Sequence, residues 1–209
     1  MLKILIADDH AIVRRGLRNL LQEAFPAAEI TEATDAEELV QKAMLQTWSV
    51  VITDLAMPGR SGLESIQQLK QLHPRMPVLV LSMYPEEQYA IRVLRSGASG
   101  YLNKESAPDE LVNAVHRVLA GKKYITASIA EKMASSLGQD TDKPLHEQLS
   151  DREFEVLKLL AAGKAVSDIA QMFHLSVTTI STYRSRILTK MNMKSNADLT
   201  QYAIANGLI

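Results

Sequence analysis

The run Val50-Val51-Ile52-Thr53-Asp54 is β-branched at four consecutive positions and ends abruptly in a carboxylate, followed by Leu55-Ala56-Met57-Pro58-Gly59. A continuous apolar run with no polar alternation reads as a strand covered on both faces, which requires a parallel sheet with helices on either side. Pro58 and Gly59 stop the run. Asp54 is therefore expected at the carboxyl end of the strand, where open parallel sheets place their ligand sites. One aspartate after one strand is ordinarily a turn residue or a helix cap, so its meaning depends on what else ends beside it.

Several polar groups do. Leu2 to Ala7 predicts a first strand, ending in Asp8-Asp9. Pro77 to Leu81 predicts another, ending in Ser82, and a short strand from Gly100 to Asn103 ends in Lys104. Glu29 to Glu32 predicts a short edge strand. Between them, apolar residues recur at helical spacing: Ile12, Val13, Gly16, Leu17, Leu20 and Leu21; then Ala36, Leu39, Val40, Ala43 and Met44; then Leu63, Ile66, Leu69 and Leu72, stopped by Pro74. Glu86 to Arg95 predicts a fourth helix. Leu111, Val112, Val115, Val118 and Leu119 predict a fifth, started at Pro108-Asp109-Glu110 and ended at Gly121. Strands alternating with helices need right-handed crossovers and give an α/β domain over residues 1–121.

Three carboxylates at one sheet edge repel one another by about 4 kcal/mol per pair at 4 Å in an effective dielectric near 20. A hard divalent cation relieves that repulsion, and magnesium, which binds carboxylates, waters and phosphate oxygens together, suits a site that receives a phosphoryl group. Asp54 is then the nucleophile that forms an aspartyl phosphate, with Lys104 and the Ser82 hydroxyl placed to meet its oxygens.

Beyond Gly121 the pattern changes. Residues 122–148 read as a linker, with a lone helix from Thr126 to Leu137 and an unpatterned stretch from Gly138 to Pro144. Residues 149–209 hold no strand-like run and predict an all-α domain of four helices. Ser150-Asp151-Arg152-Glu153 is a capping-box signature, followed by Phe154, Val156, Leu157, Leu159 and Leu160 and a stop at Gly163. Val166 to Phe173 predicts a second helix with Ile169, Ala170 and Met172 inward. Ser176 caps a third with Val177, Ile180, Tyr183, Ile187 and Met191 inward, and Ala197 to Asn206 predicts the fourth. Two short helices joined by a tight turn, the second longer and basic, describe a helix-turn-helix. Although the chain's net charge is −1, residues 176–195 carry Arg184, Arg186, Lys190 and Lys194 and no acid.

Other chemistries are poorly supported. Cysteine is absent, which excludes disulfides and thiolate zinc sites. The histidines at 10, 73, 116, 146 and 174 show no metal-ligand spacing and read as surface or core residues. Gly97-Ala98-Ser99-Gly100-Tyr101 misses the nucleophile elbow of hydrolases at its last position and precedes a strand instead of following one. No Gly-Lys-Ser/Thr phosphate loop occurs. No apolar run reaches membrane-spanning length and the sequence opens directly into a strand, so a soluble cytoplasmic protein with no membrane partner is expected.

The chain resembles the response regulators of two-component signalling. Their acid pair after strand 1 stands here as Asp8-Asp9. Their strand 3 aspartate, followed by Met-Pro-Gly-x-x-Gly, stands as Asp54 with Met57 to Gly62, and their strand 4 hydroxyl and strand 5 lysine as Ser82 and Lys104. The C-terminal segment resembles LuxR-type DNA-binding domains in Leu149 to Leu157, in Asp168-Ile169-Ala170, and from Thr179-Ile180 to Lys190-Met191. Receiver plus this module is the NarL/FixJ class. The resemblance implies a flavodoxin-like (βα)5 sheet in the order 2-1-3-4-5 and phosphorylation of Asp54 by a sensor histidine kinase or phosphotransfer protein. It also implies Mg2+ held by Asp8, Asp9, Asp54 and the Ala56 carbonyl, and an aromatic switch at Tyr101.

For the second domain it implies a homodimer on double-stranded promoter DNA. Ser181, Thr182 and Ser185 would face the major groove and Arg184, Arg186, Lys190 and Lys194 the phosphates, with Thr178 and Thr179 also among the DNA-binding residues. RNA polymerase is a further candidate partner, and the protein would be a transcriptional regulator, not an enzyme. The candidate dimer surfaces are the first and fifth helices and the last helix, where Leu199, Tyr202, Ala203 and Leu208 are expected to exceed what a small bundle can bury. Two features depart from the common pattern or lie where the family varies. Glu105, not proline, follows Lys104, and Ala56 and Tyr84 occupy positions that tune phosphoryl lifetime. The rival readings are a receiver-like domain that is never phosphorylated and an interaction bundle with a solvated basic face.

Overall fold

The computed structural model describes residues 1–57, 61–136 and 144–209; the Pro58-Gly59 strand stop, Leu137 and the stretch from Gly138 to Lys143 lie outside the described residues. Contacts divide the chain into Met1–Ser135 and Ser136–Ile209.

In the first unit the elements alternate as β1 (Lys3–Ala7), α1 (Ala11–Ala24), β2 (Glu29–Ala33), α2 (Ala36–Leu45), β3 (Val50–Asp54), α3 (Gly62–Leu72), β4 (Val78–Ser82), α4 (Glu86–Arg95), β5 (Gly100–Asn103), α5 (Ala107–Leu119) and α6 (Ala127–Ser136). The sheet is parallel in the order β2-β1-β3-β4-β5. Every residue of β3 and β4 is buried, as a strand covered on both faces demands. One face packs Ile4, Ile6, Val50, Ile52, Leu79 and Leu81 against Leu17 and Leu21 of α1 and Leu111 and Val115 of α5. On the other, α2 lies against β1 and α4 against β5, with α3 touching both helices. Each fully buried aliphatic side chain contributes about 1.5–3 kcal/mol. Register aligns the strand ends, Asp54 opposite Leu81 and Ser82 opposite Asn103. The polar residues that close each strand thus share one edge.

The helical patterns hold with local exceptions. Ile12 is 88 % exposed at the start of α1, because the turn from β1 releases only Leu17 and Leu21 of that helix fully into the core. Met44 and Leu72 also surface at helix ends.

The stretch expected to be linker from residue 122 begins with structure that belongs to the first unit. Tyr124 is buried, bridges to Gly100 and joins the α1/α5 core, and Ile129 of α6 is also buried. An apolar tyrosine body supplies the reason: it covers the open edge of β5, which would otherwise expose backbone groups.

The second unit has a 3-10 turn at Leu145–Gln148, then α7 (Asp151–Ala161), α8 (Val166–Met172), α9 (Val177–Lys190) and α10 (Asn196–Ala205). Ser150 and Glu153 form the expected capping box, and Ser195 with Asp198 forms a second one on α10. Gly163 ends α7 with a left-handed φ of +81°. Phe154, Val156, Leu157, Ile169, Ile180, Ile187, Met191 and Leu199 make the core. Met172 and Val177, expected inward, are 53 % and 54 % exposed, each standing at the helix end where α8 turns into α9. Leu199, Ala203 and Leu208 are buried and Tyr202 is half-buried, its hydroxyl 2.9 Å from His146 Nδ1. The bundle therefore buries the residues expected to be surplus on α10. Ile204 is the large apolar side chain left exposed on that helix.

Gly62 opens α3 where an added Cβ would lie 2.2 Å from the Leu55 carbonyl oxygen and 2.8 Å from two further Leu55 backbone atoms. Backbone cannot swing aside as a side chain can. Gly62→Ala is expected to destabilise the first unit by about 1–3 kcal/mol, the range for overpacking. Urea unfolding followed by circular dichroism measures this, and a loss below about 0.5 kcal/mol, the scatter of ordinary surface substitutions, would show that the Leu55 loop yields.

Candidate phosphoacceptor pocket and DNA-binding helix

Asp8, Asp54 and Lys104 meet at the carboxyl edge of the sheet because β1, β3 and β5 all end there. Asp8 is fully buried and Asp54 is 3 % exposed. Asp54 Oδ1 accepts from the Ala56 N–H at 3.1 Å and Oδ2 from Lys104 Nζ at 2.6 Å. Asp8 Oδ1 accepts from the His10 N–H at 2.8 Å, while Oδ2 lies 2.7 Å from Lys104 Nζ without an aligned hydrogen bond. The ammonium thus holds both buried acids, one by a hydrogen bond and the other by charge alone. Arg14, one turn into α1, donates to the Asp8 carbonyl at 2.7 Å and braces the β1–α1 turn. Burial pushes the Asp54 carboxyl above the usual carboxylate range, and the hydrogen bond and charge of Lys104 oppose that rise. Burial would lower Lys104, but its pairing with the Asp54 and Asp8 carboxylates outweighs this and holds it above the ordinary lysine value.

Asp9 stays partly open to solvent, and His10 Nδ1 lies 2.8 Å from its Oδ1 and 3.3 Å from Asp8 Oδ1. Donor atoms of Asp8, Asp9, His10 and Asp54 all fall within 4.8 Å of one another. An octahedral ion with bonds of about 2.1 Å needs neighbouring donors about 3 Å apart and opposite donors about 4.2 Å apart, so the cluster has the right span. Three carboxylates, and a buried Asp8 oxygen short of a donor, make an acidic pocket fit for a hard cation. Sequence alone marks His10 as one of five surface or core histidines and gives Arg14 no role. His10 follows the acid pair in one tight turn, a proximity that is legible in sequence, whereas the Arg14 contact depends on the path of α1.

Ser82 is fully buried and its Oγ accepts from the Tyr84 N–H at 3.1 Å. Tyr101 is 2 % exposed, its hydroxyl donates to the Tyr84 carbonyl at 2.6 Å, and burial raises its phenol well above the normal range. Ser82 and Tyr101 are therefore joined through the backbone of one residue. The Tyr84 ring stacks on Tyr89 at 4.7 Å.

On α9, Thr178, Ser181, Thr182, Ser185 and Arg186 are exposed. Ser176, Thr178, Thr179, Thr182, Tyr183 and Arg186 line a shallow concavity of about 270 Å³. Thr179 is half-buried and its N–H is bound by the Ser176 cap at 3.0 Å. Arg184 Nε donates to Asn196 Oδ1 at 2.7 Å. Lys190, expected among the phosphate contacts, pairs at 2.6 Å with Glu153, whose side chain is 4 % exposed. A buried carboxylate demands a counter-charge, so Lys190 ties α9 to α7. Burial would raise Glu153, but its bonds to Lys190 and Ser150 hold it below the usual range. Lys194 is exposed beyond the helix.

A parallel α/β unit with acids, a hydroxyl and a lysine at its strand ends, joined to a helix-turn-helix unit, defines a phosphoacceptor regulator with a DNA-binding output. Residues 4–116 match the response regulator receiver domain and residues 147–203 the bacterial regulatory proteins of the luxR family. The chain belongs to the NarL/FixJ response regulators of two-component systems. It is similar to Response regulator UvrY of Escherichia coli (strain K12), 33 % identical over all of this chain and 96 % of that protein. It is also similar to Oxygen regulatory protein NreC of Staphylococcus carnosus (strain TM300), 37 % identical over all of this chain and 99 % of that protein. Among solved structures, RcsB from Salmonella enterica serovar Typhimurium, bound to promoter rprA with the phosphomimetic BeF3-, superposes with a TM-score of 0.65 at 29 % identity, covering 97 % of this chain and 98 % of that one. The protein is a DNA-binding transcriptional regulator and not an enzyme.

Lys104→Met should push the Asp54 carboxyl further up, because only the Ala56 N–H would then oppose the burial that raises it. Carboxyl 13C shifts followed against pH in protein labelled at aspartate measure this. A titration that stayed put or moved down would mean that Lys104 does not govern Asp54.

Proposed function

We propose that Asp54 is the phosphoacceptor, taking its phosphoryl group from a sensor histidine kinase or phosphotransfer protein. The observation that carries this is a nearly buried carboxylate held by Lys104 beside Asp8 and Asp9. An Asp54 oxygen attacks phosphorus as the bond to the donor's histidine nitrogen breaks. Bound Mg2+ would neutralise the phosphoryl oxygens; Asp8, Asp9, Asp54 and the Ala56 carbonyl are the groups to hold it, and His10, a nitrogen donor, is poorly matched to so hard an ion. Lys104 is the fixed positive charge for the new phosphate, and the Ser82 hydroxyl turns toward it, loosening its bond to Tyr84. Tyr101, buried on Tyr84, registers that change. Moving a population from mostly inactive to mostly active needs about 5.5 kcal/mol of differential interaction. Charge-assisted bonds from Ser82 and Lys104, about 1.5–3 kcal/mol each, supply much of it.

The output is a homodimer on a two-fold symmetric promoter site, with α9 in the major groove and half-sites about one helical turn apart. Thr178, Ser181, Thr182 and Ser185 approach the bases, with Thr179 behind them in the cap, while Arg184, Arg186 and Lys194 meet phosphates. The protein works in the cytoplasm, where kinase, DNA and RNA polymerase are all in reach. No helix among the described residues is long and apolar enough to cross a membrane.

Incubation with acetyl phosphate and magnesium should add one phosphoryl mass to the wild type and none to Asp54→Ala, and EDTA should abolish it. An adduct that survives in Asp54→Ala sinks the assignment. On DNA, three phosphate contacts per protomer give a log–log salt slope of about −5 for the dimer, against about −7 if Lys190 also contacts phosphate. Ser181→Ala, Thr182→Ala and Ser185→Ala should weaken operator binding and spare random duplex, whereas Arg186→Ala should weaken both. Equal losses on both duplexes for all four variants would contradict this use of α9.

A further inference from the structure

After α5 the chain turns at Gly121, in the left-handed region at φ +73°, and runs back along the open edge of β5. Tyr124 accepts from the Tyr101 N–H at 3.3 Å and donates its own N–H to Ser99 at 2.9 Å, adding one residue of parallel pairing to the sheet. Gly100 makes this approach possible, since a Cβ there would lie 2.8 Å from both the Cβ and the carbonyl oxygen of Tyr124. The Tyr124 hydroxyl donates to Glu110 of α5, Lys123 donates to the Ala98 carbonyl, and the buried phenol is pushed up to about 12. Two residues on, Thr126 Oγ1 donates to Glu86 Oε1 at 2.9 Å and accepts from the Ile129 N–H at 3.3 Å, opening α6.

Both anchor points lie on the elements that carry the switch. Glu86 begins α4, four residues after Ser82, and Tyr124 is bound to the backbone of Tyr101 itself. Ser82, Tyr84, Tyr101, Tyr124, Thr126 and Glu86 thus form a closed circuit of hydrogen bonds and short chain segments. The circuit borders a groove of about 510 Å³.

We propose that residues 122–129 are a latch, with Tyr124 and Thr126 as positioning residues that couple the state of Asp54 to the chain leading to the DNA-binding domain. The inference rests on the assignment of Asp54, Ser82 and Tyr101 given above. When Ser82 turns to a phosphoryl oxygen it releases the Tyr84 N–H, the 83–86 segment shifts, and Glu86 leaves Thr126. Phosphorylation opens the latch and frees the start of α6.

Hydrogen exchange of the full chain, read by mass spectrometry with and without beryllofluoride and Mg2+, tests this. Loss of a charge-assisted hydrogen bond raises exchange over residues 124–130 by about tenfold. Glu86→Ala, which removes the anchor but leaves the Thr126 cap on α6, should exchange fast without beryllofluoride and respond little to it. Glu86→Gln, which still accepts from Thr126, should behave as wild type. Tyr124→Phe, losing only the Glu110 bond, should keep the response, since the pairing with Tyr101 is through backbone. If Asp54 loads with beryllofluoride and exchange over 124–130 is unchanged or slower, the latch is wrong while the phosphoacceptor assignment stands. If the wild type does not load, both fall.

Discussion

The placement of one ammonium group between two buried carboxylates governs much of the receiver unit. Asp8 and Asp54 lie almost entirely out of solvent, where an unpaired charge is costly, and Lys104 reaches both within 2.7 Å. That arrangement needs β1, β3 and β5 to end at the same level, which the parallel register enforces. The strand ends, the turn into α1 and the Leu55 loop are therefore under common constraint. Arg14 holds the Asp8 carbonyl from the helix side, and the Ala56 amide holds Asp54 from the loop side. An ion pair broken on one side would leave a buried charge on the other, so the three groups stand or fall together.

The same edge carries a second polar connection. Ser82 and Tyr101 belong to adjacent strands, yet the Tyr84 backbone connects them by an N–H to one and a carbonyl to the other. Close packing carries a small displacement there farther than solvent-exposed loops would. The segment beyond α5 lies against β5 beside Tyr101, so the chain leaves the first unit along this edge.

In the second unit the charges divide into two roles. Lys190 compensates buried Glu153, and Arg184 is shared with Asn196, whereas Arg186 and Lys194 face solvent. Glu153 is also a capping-box residue, so one carboxylate fixes the start of α7 and the position of α9 together. Helix α9 is thus oriented by an ion pair drawn from the basic residues that composition alone would assign to DNA.

The amino-acid sequence by itself determined the buried strands, because short uninterrupted apolar runs bounded by polar residues have one good use, and it determined the acid and hydroxyl positions because those runs end on them. It determined the helix-turn-helix through caps and apolar spacing, and the two domains through the loss of strand-like runs after Gly121. Tertiary structure decided which members of an apolar or basic set are used. Ile12 and Val177 satisfy helical periodicity yet stand in solvent, Leu199 and Leu208 are fully absorbed by a bundle that looked too small, and Lys190 finds Glu153 37 residues away. It also decided that residues 122–129 belong to the receiver unit and that His10 and Arg14 attend the acids. Periodicity is local and reports only a face. Burial, pairing and reach depend on which distant elements meet that face, and the folded chain alone supplies them.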